Sequence, residues 1–96
     1  GSGEHWKPRT LARFNGHDVM VINALGEFVW RMHDGIDNCI LVLKGVLEIG
    51  MRDRPVHLGP GELFVVPRGV EHRLMAKEEV HLLLIEPGGT REPGSH

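Results

Sequence analysis

An all-β fold, built as an antiparallel barrel or jelly roll, is what this sequence predicts, and three observations predict it. Short apolar runs rich in Val, Ile, Leu and Phe recur along the chain, several of them alternating with polar residues. Thirteen glycines and six prolines punctuate 96 residues, which marks many turns and hence many short strands. No stretch carries the apolar spacing of an amphipathic helix. Eight or nine strands joined by tight turns protect their edges by closing into a barrel or packing as two sheets.

Taken in order, residues 1–10 are polar and aperiodic, with Trp6 and Leu11 able to dock on the surface. Residues 1–18 are expected to form an N-terminal arm or edge strand, with Leu11 to Phe14 as its extended part. Asn15-Gly16 is a strong hairpin signal. Val19 to Ile22 is a strand, turned at Asn23 to Gly26. Glu27 to His33 follows as a strand, with Phe28, Trp30 and Met32 on one face and Val29, Arg31 and His33 on the other. After a polar loop, Cys39 to Leu43 is apolar throughout and reads as buried on both faces. Val46 to Arg52 alternates, with Leu47, Ile49 and Met51 on the apolar side. Asp53-Arg54-Pro55 turns the chain into the short Val56 to Leu58. Leu63 to Val66 and His72 to Ala76 come next, then a charged turn at Lys77-Glu78-Glu79, then Val80 to Ile85. The barrel is expected over residues 19–87, with 88–96 as a flexible tail.

Composition narrows the function. A formal net charge of −2, with no basic stripe, argues against nucleic acid as a partner. No apolar run approaches the roughly 18 residues of a membrane span. The opening Gly1-Ser2-Gly3 reads as a trimmed or added end, and no signal peptide is visible. One cysteine, Cys39, rules out a disulfide within the chain and fits a cytoplasmic location.

The chain is organised around Gly61-Glu62-Leu63-Phe64-Val65-Val66-Pro67-Arg68-Gly69-Val70-Glu71-His72. Turn residues bracket a short strand and deliver one histidine into the next strand. Gly61, Pro67, Gly69 and His72 stand at the spacings of the second cupin motif, in which Gly, Pro, Gly and His precede an Asn. Ala76 replaces that Asn. The first cupin motif carries His-x-His, then Glu, then Gly with six residues intervening. His33, Asn38 and Gly45 hold the places of the second His, the Glu and the Gly, and Arg31 stands where the first His belongs. From about Val19 to Pro87 the chain therefore resembles the cupins. Gly26 to Trp30 and Val66 to His72 are closest in flavour to short single-domain members. The resemblance implies a double-stranded β-helix, commonly a homodimer, and a metal site of three histidines and a glutamate.

Two of those four ligand positions depart from the pattern. Asn38 is a neutral, weak donor, and Arg31 has no lone pair to give. An inward guanidinium about 5 Å from a divalent ion would be repelled by on the order of 6 kcal/mol at an effective dielectric of about 20. Losing a carboxylate and gaining a guanidinium both turn the site from cations towards anions. Three readings follow. In the first, Arg31, His33, Asn38 and His72 form a ligand-binding cluster for a carboxylate or phosphate on a small molecule. In the second, Arg31 turns to the rim and pairs with Asp34 or Asp37, and the histidines are only core residues. In the third, His33 and His72 hold a metal with waters, or with His57 or His81 recruited from another strand. The cofactor expected is none, or a divalent ion (Zn, Ni, Mn or Fe) at low occupancy. The competing functional class is a metal-dependent enzyme of the dioxygenase or sugar-isomerase type, and no catalytic residue is assigned. A third class is an interaction module using the strand face that carries Trp30.

Other candidates have plainer roles. His57 and His81 are expected at exposed strand positions, and His5, His17 and His96 near ends or turns. Cys39, one residue after Asn38, faces away from the pocket and is a small apolar residue rather than an activated thiolate. Leu47, Ile49, Met51, Phe64 and Leu74 are expected to line the barrel. Glu71 is expected to be a solvated charge.

Overall fold

A computed structural model describes residues 5–31 and 35–88, with backbone alone for 29–31. Among the described residues, seven antiparallel strands make the fold: β1 (Arg9–Phe14), β2 (His17–Arg31), β3 (Asn38–Lys44), β4 (Leu47–Met51), β5 (Val56–Leu58), β6 (Leu63–Val66) and β7 (His72–Pro87). Among the described residues there is no helix. The longest strands, β2 and β7, pair along most of their length and belong to two sheets. The larger sheet has the order β1-β2-β7-β3-β6, and the first half of β7 pairs with β4, which pairs with β5.

Two strands that the sequence divides are continuous. The expected turn at Asn23 to Gly26 is a register shift between Ala24 and Gly26 inside β2, and Lys77 to Glu79 bulge out opposite it inside β7. Extra residues at these points bend both strands from one sheet into the other, as corners of folded sheets require. That is why seven strands do the work of eight or nine. Gly45 shows how close the backbones come there. Its φ is +88°, and a Cβ at this position would lie 2.8 Å from the carbonyl oxygen of Glu79. The first hairpin is built as expected, with Asn15 at φ +50° and Gly16 at φ +76° between the paired Phe14 and His17.

The core lies between the sheets. Inward residues alternate along each strand, with Ile40 and Val42 on β3, Leu47 and Ile49 on β4, and Leu74, Ala76, Val80 and Leu82 on β7 all buried. Met51 and Phe64 pack against this cluster. The five residues expected to line the barrel therefore do so. The apolar run in β3 is not buried on both faces: Cys39 and Leu41 are half-buried and Leu43 is exposed.

Trp6 docks, whereas Leu11 stays exposed. The Trp6 indole stacks on Phe28 with ring centroids 4.9 Å apart. Its Nε1–H donates to the Leu25 carbonyl at 2.8 Å, and its backbone N–H donates to the Asn23 carbonyl at 2.8 Å. These contacts hold Trp6 at φ +69°, a conformation that a bulky residue does not adopt unaided. Trp6→Ala is expected to lower the unfolding free energy by about 2 kcal/mol, from lost stacking, burial and one hydrogen bond. Urea denaturation at constant m value checks it.

Candidate ligand site at the barrel mouth

Arg31, Asn38 and His72 stand at strand ends on one side of the barrel. The chain leaves β2 at Arg31 and re-enters the larger sheet at Asn38, so a six-residue connection holds both positions on that side. The turn after β6 brings the chain back to His72, the first residue of β7. His72 is the register partner of Arg31 on one side and of Met51 on the other. Arg31 reaches that position through a bulge. Phe28 pairs with Leu74, but the register shifts by one before Arg31 meets His72. Strict alternation from the inward Phe28 would have placed Trp30 there, so the bulge decides which residue stands opposite His72. His33 lies outside the described residues, as does Asp34.

Asn38 and His72 are both deeply buried, at 7% and 3% exposure. The Asn38 side-chain carbonyl oxygen has no hydrogen-bond partner among the described residues. A buried amide oxygen left unpaired costs about 1–3 kcal/mol, which makes this oxygen a candidate acceptor for a polar group. His72 Nδ1 lies 3.1 Å from the carbonyl of Val70. A carbonyl only accepts, so Nδ1 is the donor in this bond. The turn that sets this bond is closed by the Val70 N–H donating to the Pro67 carbonyl at 3.3 Å, with Gly69 at φ +78°.

The rim is tied by charge. Asp37 accepts from the Arg68 backbone N–H at 2.8 Å and from its Nε–H at 3.3 Å, joining the β2–β3 connection to the β6–β7 turn. The Arg68 backbone donor, then its side chain, hold the Asp37 carboxyl below the ordinary aspartate range. A depressed carboxyl stabilises the fold above its unfolded-state pKa and ceases to do so as pH falls through its folded value. The stability difference between wild type and Asp37→Asn is therefore expected to be constant near neutrality and to close below about pH 4. Thermal melts from pH 7 to pH 3 measure it. Glu71 is not a free solvated charge, since its Oε1 accepts from Arg52 Nη2 at 2.6 Å. A cleft of about 400 Å³ opens beside this pair, lined by Met51, Arg52, Asp53, Gly69, Val70 and Glu71.

The histidines considered as recruits do not reach the mouth. His57 is exposed and paired with Glu48 at 3.3 Å on the outer side of β4 and β5. His81 alternates with the buried Val80 and Leu82 and faces outward as well. Strand alternation puts both on the opposite face from His72. His5 pairs with Glu79 at 3.0 Å, and His17 Nδ1 lies 3.0 Å from the Asn15 carbonyl. Burial pushes the Cys39 thiol up, the reverse of an activated nucleophile.

Comparison with known proteins agrees with this architecture. The Cupin domain family matches residues 18–86. The chain belongs to the cupins. Among solved structures, a cupin-2 domain containing protein from Shewanella frigidimarina is 43% identical, with a TM-score of 0.86 over 88% of this chain and 82% of the other. Protein NMB1881 from Neisseria meningitidis is 28% identical, with a TM-score of 0.80 over 88% of this chain and 87% of the other. The uncharacterized protein YdbB of Bacillus subtilis is 29% identical over 65 residues, which are 67% of this cupin and 58% of YdbB. The match thus spans little more than half of that relative's length.

Proposed function

We propose that this cupin binds a small anionic or polar molecule at the mouth of its barrel, where Arg31, His33, Asn38 and His72 hold it. The observation that supports the reading is the buried carbonyl oxygen of Asn38, which has no partner among the described residues, at a strand start linked by one short connection to Arg31 and, through its partner Val66 and the following turn, to His72. The family's metal does not fit this donor set. Asn38 stands in place of the carboxylate and Arg31 in place of an imidazole, and His33 with His72 leaves only two strong ligands. The site is therefore a degenerate one, suited to a carboxylate or phosphate that Arg31 can clamp with two hydrogen bonds. The single cysteine supports a cytoplasmic setting.

Two measurements test this. Elemental analysis of untagged, dialysed protein is expected to give well under one metal equivalent per chain. Near one equivalent of iron, manganese, nickel or zinc would overturn the reading and favour a metal-dependent enzyme. Calorimetric titration with a panel of carboxylates and phosphates is expected to find a binder for wild type that Arg31→Ala loses.

A further inference from the structure

The β6–β7 turn stands between two ion pairs. Arg68 and Asp37 tie its first part to the β2–β3 connection. At its other end, the β4–β7 ladder pairs Glu48 with Met75, Ile49 with Leu74, Gly50 with Arg73 and Met51 with His72. Continued by one step past the strand ends, that register sets Arg52 opposite Glu71. Their side chains take up the pairing, with Arg52 Nη2 donating to Glu71 Oε1 at 2.6 Å. The Arg52 side chain is 80% exposed and that of Glu71 38%, so the pair adds little to global stability. Its place in the chain gives it another effect.

The carbonyl 3.1 Å from His72 Nδ1 belongs to the peptide that joins Val70 to Glu71. A peptide unit is planar, so fixing Glu71 fixes the direction of that carbonyl. The turn itself holds it less firmly. The closing bond from the Val70 N–H to the Pro67 carbonyl is long, at 3.3 Å, and Gly69 has no side chain to pack. The cleft of about 400 Å³ lies along the same residues, so part of the turn meets open space instead of packed side chains. We infer that Arg52 and Glu71 are positioning residues for His72. Their ion pair holds the Val70 carbonyl, the carbonyl holds Nδ1–H, and the ring is kept from rotating, so that Nε2 keeps one direction. Neither charged side chain has to touch a ligand. The consequence for binding rests on the reading that His72 contributes to a ligand site: a group already held in place loses less freedom when the ligand arrives.

Nitrogen-15 NMR of the ligand-free protein tests the inference, with the His72 ring signals identified by their loss in His72→Gln. The wild-type Nδ1 proton is expected to exchange slowly with water. Exchange is expected to quicken about tenfold in Arg52→Ala and in Glu71→Ala, because the hydrogen bond opens locally more often. The charge-swapped double variant Arg52→Glu, Glu71→Arg is expected to restore the slow rate. Arg13→Ala, which breaks the ion pair with Asp18 near the first hairpin, is expected to leave it unchanged. Melting temperatures of all four variants are expected within about 5 °C of wild type. Wild-type exchange in both single variants overturns the inference. So does a swapped variant as fast as the single ones, or quickening that Arg13→Ala shares or that comes with a larger fall in melting temperature. Calorimetric titration with the carboxylates and phosphates keeps the two readings apart. For a compound that wild type binds, Arg52→Ala is expected to weaken binding about threefold to tenfold and the swapped variant to recover it. If none binds wild type, the ligand reading fails, and the exchange rates alone decide the positioning of His72.

Discussion

Replacing Leu82 with alanine is expected to lower the unfolding free energy by about 3 kcal/mol and the melting temperature by roughly 12–24 °C. Leu82 is fully buried. Its register partners are Ile22 on β2 and Val42 on β3, and all three side chains face the core. It sits just beyond the corner where β7 passes from one sheet to the other, so neighbours on both sheets are held by paired backbone and cannot collapse into the space. The loss therefore includes a cavity as well as lost transfer free energy. In a domain this small, about 3 kcal/mol is a large share of the total stability. Guanidinium unfolding monitored by Trp fluorescence and calorimetry measures it. A loss below about 1 kcal/mol would mean that the core repacks freely.

At the barrel mouth, two substitutions are expected to act differently. Arg31→Ala should weaken binding of the proposed anionic ligand about 100-fold, as expected for losing a charge-assisted pair of hydrogen bonds worth about 1.5–3 kcal/mol. Its effect on the stability of the ligand-free protein should be small. Asn38→Leu keeps the side-chain size and removes the unpaired buried oxygen. It should weaken the same ligand at least tenfold while raising ligand-free stability by about 1 kcal/mol. Opposite signs for binding and stability are the mark of a polar group kept for a ligand rather than for the fold. Titration calorimetry and thermal melts of the two variants give both readings. If Asn38→Leu destabilises instead, the amide is a structural hydrogen bonder and the ligand reading loses its main support.

Several of these features are legible in the amino-acid order alone. Asn15-Gly16 specifies a hairpin because both residues tolerate positive φ, and the structure uses them so. Alternation at Leu47 and Ile49 marks their strand face as core, and period two leaves little freedom in which side chain turns inward. Gly61, Pro67, Gly69 and His72 set turn geometry at fixed spacing, which carried the cupin resemblance and placed a histidine at a strand start. That Asn38 stands at the Glu position and Arg31 at a His position of the first cupin motif is likewise legible in the sequence.

Other decisions belong to the tertiary structure. Asn23 to Gly26 and Lys77 to Glu79 have turn composition, yet both lie inside long strands, because pairing between β2 and β7 outweighs local preference and converts the turns into a corner. The bulge that brings Arg31 opposite His72 has no local signal, since register depends on a partner strand distant in sequence. The docking of Trp6 depends on the Asn23 and Leu25 carbonyls exposed near that same corner. The apolar run Cys39 to Leu43 suggests burial on two sides. Only the assembled barrel shows that one side has no layer of its own to meet, because a sheet has two faces and this core covers one.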